Sequence, residues 1–209
     1  MKFLIIIAFL SVVPATIIGQ TVIDSSNHRI YLREVYEVAG NFNQLKIMAN
    51  EWVAKSYNNS NYVTRINEDG KILTKGSFAV SAEYTAYGIT THSPRTIEYT
   101  LDLEFKDGRY KVEITEVGIK TAGLSEDISI YMMGPDEYRE LLREIYKDYD
   151  GIGANAGRKR IENDKKLIKD YEGMHDYGEA IIGQIVDKLN SINASLLLYV
   201  KSNQKDEDW

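Results

Sequence analysis

Residues 96–119 read TIEYTLDLEFKDGRYKVEITEVGI, and the fold class follows from this stretch. Ile97, Tyr99, Leu101, Leu103 and Phe105 alternate with Thr96, Glu98, Thr100, Asp102, Glu104 and Lys106. Side chains of a β-strand point to opposite faces with a period of two, so the pattern predicts a strand with one dry and one wet face. Asp107-Gly108 is suited to the positive φ of a tight hairpin, and Tyr110, Val112 and Ile114 return along the dry face. Glu116 then falls where an apolar residue is due, while Val117 and Ile119 resume the apolar series. That slip predicts a bulge at Thr115 to Val117.

Upstream, Val63 to Glu68 and Lys71 to Val80 flank Asp69-Gly70, a second hairpin. Ile72, Thr74, Gly76, Phe78 and Val80 share one face; Lys75 and Ser77 lie on the other. Arg29 to Val38 is rich in β-branched and aromatic residues and reads as the first strand. Gly40 ends it, and Asn41 with Gln44 three residues later forms a capping-box pattern. Phe42, Leu45, Met48, Ala49, Trp52 and Val53 then recur at helical spacing until about Tyr57, where Asn58 to Asn61 forms a loop. One helix laid on the dry face of an antiparallel sheet would bury both apolar surfaces, an α+β arrangement.

These landmarks carry a resemblance. The order of strand, helix with Glu51-Trp52, hairpin with Gly70-Lys71-Ile72, Gly76 and the turn Lys106-Asp107-Gly108-Arg109-Tyr110 resembles a family of exported bacterial proteins, domain of unknown function 4468. The similarity spans about residues 30–120. It implies a TBP-like antiparallel sheet backed by helix in a secreted protein, with no assigned activity. TBP-like describes a topology and implies no DNA binding.

The last third is helical. Gly134-Pro135-Asp136 opens a helix whose stripe is Tyr138, Leu141, Leu142, Ile145, Tyr146 and Tyr149. Asp150 to Gly157 (DGIGANAG) is a glycine-rich break, and a second helical run is expected to start near Arg158. Ile168, Tyr171, His175, Gly178, Ile182, Ile185, Leu189, Ile192, Leu196 and Tyr199 then alternate steps of three and four, as in a coiled-coil seam. Gly173, Gly178 and Gly183 each cost about 1 kcal/mol in a helix interior, which leaves a straight rod, a kink or a helical hairpin open.

The N-terminus reads as an address. Lys2 precedes an apolar run from Phe3 to Val13, Pro14 breaks it, and small or polar residues follow to Gly19 and Gln20. This is the layout of a cleaved signal peptide, and the run is shorter than the ~20 residues that span a bilayer. No later segment is long and apolar enough to cross a membrane. The chain has 209 residues, 25 Lys+Arg against 31 Asp+Glu and no cysteine. Disulfides, thiolate metal sites and thiol catalysis are thereby excluded, and a net charge of −6 argues against a nucleic-acid partner.

Each motif that might carry chemistry has a plainer reading. Gly151, Gly153 and Gly157 before Arg158-Lys159-Arg160 suggest an anion site at a helix start, but the spacing fits no phosphate-binding fingerprint and a hinge is expected. Glu172 and His175 make one Glu-x-x-His pair where a di-iron bundle needs two. Asp24, Ser25 and His28 hold triad residue types in what reads as a polar linker. His92 lies in a Thr-Thr-His-Ser-Pro segment that reads as a loop. Glu98, Asp102 and Glu104 share the wet face and are of the type that serves glycoside hydrolysis, but solvated sheet faces carry such charges routinely. Fifteen tyrosines weigh slightly towards a binding protein. Asn58 and Asn193 stand in N-x-S sequons.

The sequence therefore predicts a signal peptide (1–20), an antiparallel sheet domain with one packed helix (21–125), TBP-like as the resemblance implies, and a C-terminal helical extension (130–203). No catalytic, cofactor-binding or metal-ligating residue is assigned, and no cofactor is called for. The expected role is that of a non-catalytic envelope binding or assembly module in the periplasm or outside the cell. Its partner would be a protein or other envelope component, and its C-terminal helices would join copies of the chain. Hydrolysis of envelope polymers and small-ligand binding by the sheet domain are the alternatives.

Overall fold

The computed structural model describes residues 19–57, 64–68, 70–86, 89–121, 124–148 and 151–204. Apart from Gly19 and Gln20 the expected leader lies outside these residues, as do the Asn58–Asn61 loop and its sequon. Seven strands form the sheet: β1 (Val22–Asp24), β2 (Arg29–Glu37), β3 (Thr64–Glu68), β4 (Lys71–Ala86), β5 (Ile89–Lys106), β6 (Arg109–Thr121) and β7 (Leu124–Asp127). The order is β1-β2-β6-β5-β4-β3, with β7 beside the far end of β6, and every pairing is antiparallel. Helix α1 (Phe42–Ser56) follows β2. A 3-10 turn (Ile128–Tyr131) leads to α2 (Pro135–Lys147), α3 (Ile152–Ile161) and α4 (Asp164–Ser202).

Two hairpin turns pin the helix to the sheet. Gly108, with φ +75°, closes the β5–β6 hairpin, and its N–H donates to the Gly40 carbonyl (2.9 Å). Asp107 accepts the Phe42 N–H at the start of α1 (2.7 Å), beside the Asn41–Gln44 capping box, which forms as expected. The Gly70 carbonyl takes the Phe105 N–H (3.1 Å), so both hairpin turns and the helix start form one hydrogen-bonded corner. Gly76 lies opposite Tyr99, whose ring occupies the space a side chain would fill: a Cβ there would fall 2.3 Å from Tyr99 Cζ. The Tyr99 hydroxyl bonds that of Tyr57 (2.7 Å), which packs edge-on against Trp52.

Two helices, not one, cover the dry face. Six strands in a row span roughly 24 Å at ~4.8 Å per strand, and neighbouring helices pack ~8–10 Å apart, so α1 alone leaves much of that face bare. Helix α4 supplies the rest. Ile181, Ile185, Leu189, Leu196, Leu197 and Val200 join Leu32, Leu101, Leu103, Val112, Ile114, Leu45 and Trp52 in one buried core. Trp52 Nε1 donates to Ser195 Oγ (3.0 Å) across the α1–α4 contact. α4 runs unbroken for 39 residues, about 58 Å at 1.5 Å per residue. Of the readings left open, the helical hairpin is not adopted: α4 is one continuous helix. The heptad-like register is satisfied within the chain. Because a sheet demands a broader apolar stripe than a coiled-coil seam, Ile181 and Leu197, outside the expected register, are buried in the core, while Ile168 within it stays 39% exposed.

Three local expectations are corrected. The glycine-rich stretch is helical: α3 begins at Ile152, which puts Arg158, Lys159 and Arg160 in its last turn, where cations suit the helix dipole. Arg158 Nη1 donates to the Tyr146 carbonyl of α2 (2.5 Å), and Arg160 pairs with Asp170. The segment from Asp24 to His28 is a hairpin turn joining β1 to β2 rather than a linker. Residues 90–94 belong to β5, opposite Thr85 to Ser81 of β4. Pro94 is tolerated there because the β6 ladder starts only at Thr96, so the missing N–H faces an open edge.

Candidate functional site

A cleft of about 610 Å³ opens on the wet side of the sheet, where β2 meets the bulged part of β6. The β1–β2 turn and β2 contribute Asp24, His28, Arg29, Tyr31 and Arg33. Glu113, Thr115 and Glu116 come from β6, and Asp127 from the end of β7. Between Glu98 and Thr100 of β5 the ladder skips two residues of β6, which is the expected bulge, and Glu116 takes φ +51° there. His28 has φ +52°. Among the described residues these are the two non-glycine residues with positive φ, and both line this cleft. Such backbone costs on the order of 1 kcal/mol or more per residue and concentrates at functional positions.

The charged groups differ in how far they are already engaged. Asp24 accepts the Ser26 N–H (3.0 Å) and Oγ–H (2.6 Å), which holds its carboxyl below the usual range. Arg33 donates to Glu113 through Nε (3.1 Å) and Nη2, and Lys111 adds an ion pair at 2.9 Å. The Arg33 hydrogen bond, reinforced by Lys111, lowers the Glu113 pKa. Glu116 is turned towards Thr100 Oγ1 (2.6 Å) and Lys75 (3.3 Å), which lower its pKa in that order. Asp127 accepts the Ser129 N–H (2.9 Å) and so caps the 3-10 turn. His28 Nε2 lies 3.5 Å from Glu137 of α2, a contact that carries charge only when the imidazole is protonated.

Carboxylates held ionised by fixed donors are poor proton donors at neutral pH. The cleft is instead arranged as a set of oriented hydrogen-bonding groups on rigid strands. Of its residues, the sequence had singled out only Asp24 and His28, as triad types. Arg29, Tyr31, Arg33, Glu113 and Asp127 carried no sequence signal. The one usable clue was the slip in alternation at Glu116.

The other sequence candidates are placed elsewhere. Each wet-face carboxylate faces a cation: Glu98 with Lys120 (2.9 Å), Asp102 with Lys71 (2.5 Å) and Glu104 with Lys111 (3.5 Å). They belong to a cross-strand charge ladder. His175 stacks on Tyr171 (5.4 Å between centroids) and faces Glu179 (3.4 Å), while Glu172 is exposed. His92 lies opposite Glu83 on the long hairpin. Many tyrosines pair in or beside the core, among them Tyr36–Tyr110, Tyr84–Tyr177 and Tyr131–Tyr177. The second sequon falls on Asn193, which is 1% exposed, and its Nδ2 donates to Tyr36 Oη (2.7 Å) and the Gly19 carbonyl (3.1 Å). Among the described residues no group of three or more His, Asp or Glu is disposed to hold a metal ion, and no helix is long and apolar enough to cross a membrane.

Residues 43–120, from α1 through β6, match a family described as a domain of unknown function (DUF4468) with TBP-like fold. Trp52, Gly70-Lys71-Ile72, Gly76 and Lys106 to Tyr110 fall on these residues, whereas the first strand, which the resemblance took in from about residue 30, lies ahead of them. A solved DUF4468 family protein from Bacteroides ovatus ATCC 8483 is 12% identical, with a TM-score of 0.39, covering 70% of this chain and 86% of that one. A TBP-like protein from Parabacteroides distasonis ATCC 8503 is also 12% identical, with a TM-score of 0.40, covering 81% and 93%. No curated protein matches the chain.

Proposed function

We propose that the protein is an exported, non-catalytic binding module whose ligand seat is the cleft between β2 and the β6 bulge. The observation that carries this reading is the convergence on one polar cleft of His28 and Glu116, the two left-handed non-glycine residues among those described. Backbone strain persists only where the surroundings enforce it, and here it re-aims side chains around a single cavity. The cleft's size suits a small polar molecule. Assembly through the C-terminal helices is the weaker reading, because the apolar stripe of α4 is spent on the sheet and α1. Hydrolysis by Glu98, Asp102 and Glu104 is weaker still, since each is neutralised by a neighbouring cation. Lys2, the apolar run Phe3–Val13 and Pro14 support release to the periplasm or beyond, which makes an envelope-derived ligand the natural class.

Amide NMR spectra recorded while a low-mass digest of bacterial envelope is titrated into the purified protein test this reading. Shifts are expected to cluster at residues 27–33 and 113–117. Shifts centred on α4, or a light-scattering mass that rises with concentration while the cleft stays silent, would replace the ligand seat with self-assembly.

A further inference from the structure

The cleft's acceptors are committed and its strongest donor is not. Asp24, Glu113, Glu116 and Asp127 each accept hydrogen bonds from the protein itself. Arg29, by contrast, makes no hydrogen bond or ion pair with any described residue, and neither does the Tyr31 hydroxyl; both line the cleft. His28 adds an imidazole whose neighbour Glu137 stands at 3.5 Å, beyond good hydrogen-bond length. A ligand entering this cleft therefore meets free donors and must bring the acceptors.

Building on the reading of the cleft as a ligand seat, we propose that it binds a small molecule bearing a carboxylate, with the Arg29 guanidinium as the anchor. The planar fork of Arg matches a carboxylate through two parallel N–H···O bonds. The same fork fits a phosphate, and charge decides between them. Four carboxylates against two guanidiniums leave the lining at −2 with His28 neutral, within a chain of net charge −6. A dianion is repelled by that field about twice as strongly as a monoanion. With 610 Å³ available, the carboxylate can sit on a body the size of a sugar acid or a short peptide.

Matched probes separate the possibilities. D-galacturonate and N-acetyl-D-alanyl-D-alanine carry the carboxylate; D-galactose and the dipeptide amide lack it; inorganic phosphate is the competing anion. Titrated into the purified protein, both acids are expected to shift the amides of Asn27 to Arg33, with affinity at least about tenfold above their uncharged counterparts. Arg29→Ala should weaken both acids about tenfold or more, and Arg29→Lys, which keeps charge but loses the fork, should fall between. Circular dichroism checks that both variants are folded. Galactose and the amide binding as well as the acids would overturn the carboxylate anchor and leave the cleft standing as a seat. Tighter phosphate binding would do the same. Silence of the cleft towards every probe would overturn the carboxylate anchor, while the envelope-digest titration decides the seat separately.

Discussion

Two glycines five residues apart on α4 should respond differently to alanine: one gains stability and the other does not. At Gly183 a new Cβ meets nothing within 4 Å, and the residue sits in the interior of a continuous helix. Gly183→Ala should therefore gain the bare propensity difference, about 1 kcal/mol, and raise Tm by roughly 2–4 °C for a chain of this size. At Gly178 the same methyl would stand 2.9 Å from Tyr131 Cβ and 3.0 Å from the Tyr131 carbonyl oxygen. Carbon atoms prefer ~3.5–4.0 Å, so the helix and the 3-10 turn would have to part by roughly 0.6 Å or more. Tyr131 cannot swing aside freely, because the near atoms are its backbone and Cβ, and its ring packs edge-on against Tyr177 (5.5 Å). Overpacking of this kind costs about 1–3 kcal/mol, which cancels or exceeds the propensity gain. Gly178→Ala should thus be neutral to about 2 kcal/mol destabilising, and the two variants should differ by about 1–3 kcal/mol. Urea denaturation followed by circular dichroism reads this directly, provided the m-values agree. Equal stabilisation by both substitutions would show that α4 does not approach the 3-10 turn as described, and would undo the account of how the long helix is seated.

Three further outcomes follow from the same structure. Gly76→Ala should destabilise by about 1–3 kcal/mol, since the Tyr99 ring must leave its place and release the Tyr57 hydroxyl; an unchanged Tm would contradict the cross-strand contact. Asn193→Ala should cost about 1–3 kcal/mol, because the buried Tyr36 hydroxyl loses its Nδ2–H donor. An unchanged urea midpoint would show that Asn193 does not hold the Tyr36 hydroxyl. Glu113, whose folded pKa is depressed by Arg33 and Lys111, contributes stability above its ordinary pKa of about 4.3 that is lost as pH falls through the folded value. Glu113→Gln should accordingly lower stability at pH 7 by about 1 kcal/mol or less and flatten the acid side of the Tm–pH curve. An acid limb as steep as that of the unmodified protein would refute the pairing.

Local chemistry was legible in the sequence; long-range closure was not. The capping box at Asn41, the turn at Gly108 and the bulge at Glu116 each depend on a few adjacent residues, and all form where the pattern places them. The stripe of α4 was visible as apolar periodicity, but periodicity does not say what a stripe lies against. Residues 90–94 looked like a loop because Thr, His, Ser and Pro carry no apolar alternation. They are held as strand by β4 and by contacts from α4, such as the Tyr177 hydroxyl on the Ser93 carbonyl (3.1 Å). The helix start at Ile152 was hidden by glycines, whose local propensity argues against helix and is overridden by packing between α2 and α4.

The candidate site shows the same division more sharply. Arg29 and Tyr31 occupy alternate, solvated positions of β2, indistinguishable in sequence from any wet-face residue. Glu116 and Asp127 reach the same cavity only because β6 bulges and β7 folds back along it. The sequence by itself determined the antiparallel sheet, its dry and wet faces, the capped helix on it and the hairpin turns, because these are set by side-chain period and by the φ each residue tolerates over a few positions. The tertiary structure alone decided that the long C-terminal helix completes the sheet's cover and that β2, the bulge and β7 converge on one cleft lined by Arg29, which pairs with no described residue. Those contacts join residues tens to more than a hundred positions apart, and no local preference encodes which distant surface an apolar stripe or an exposed charge will meet.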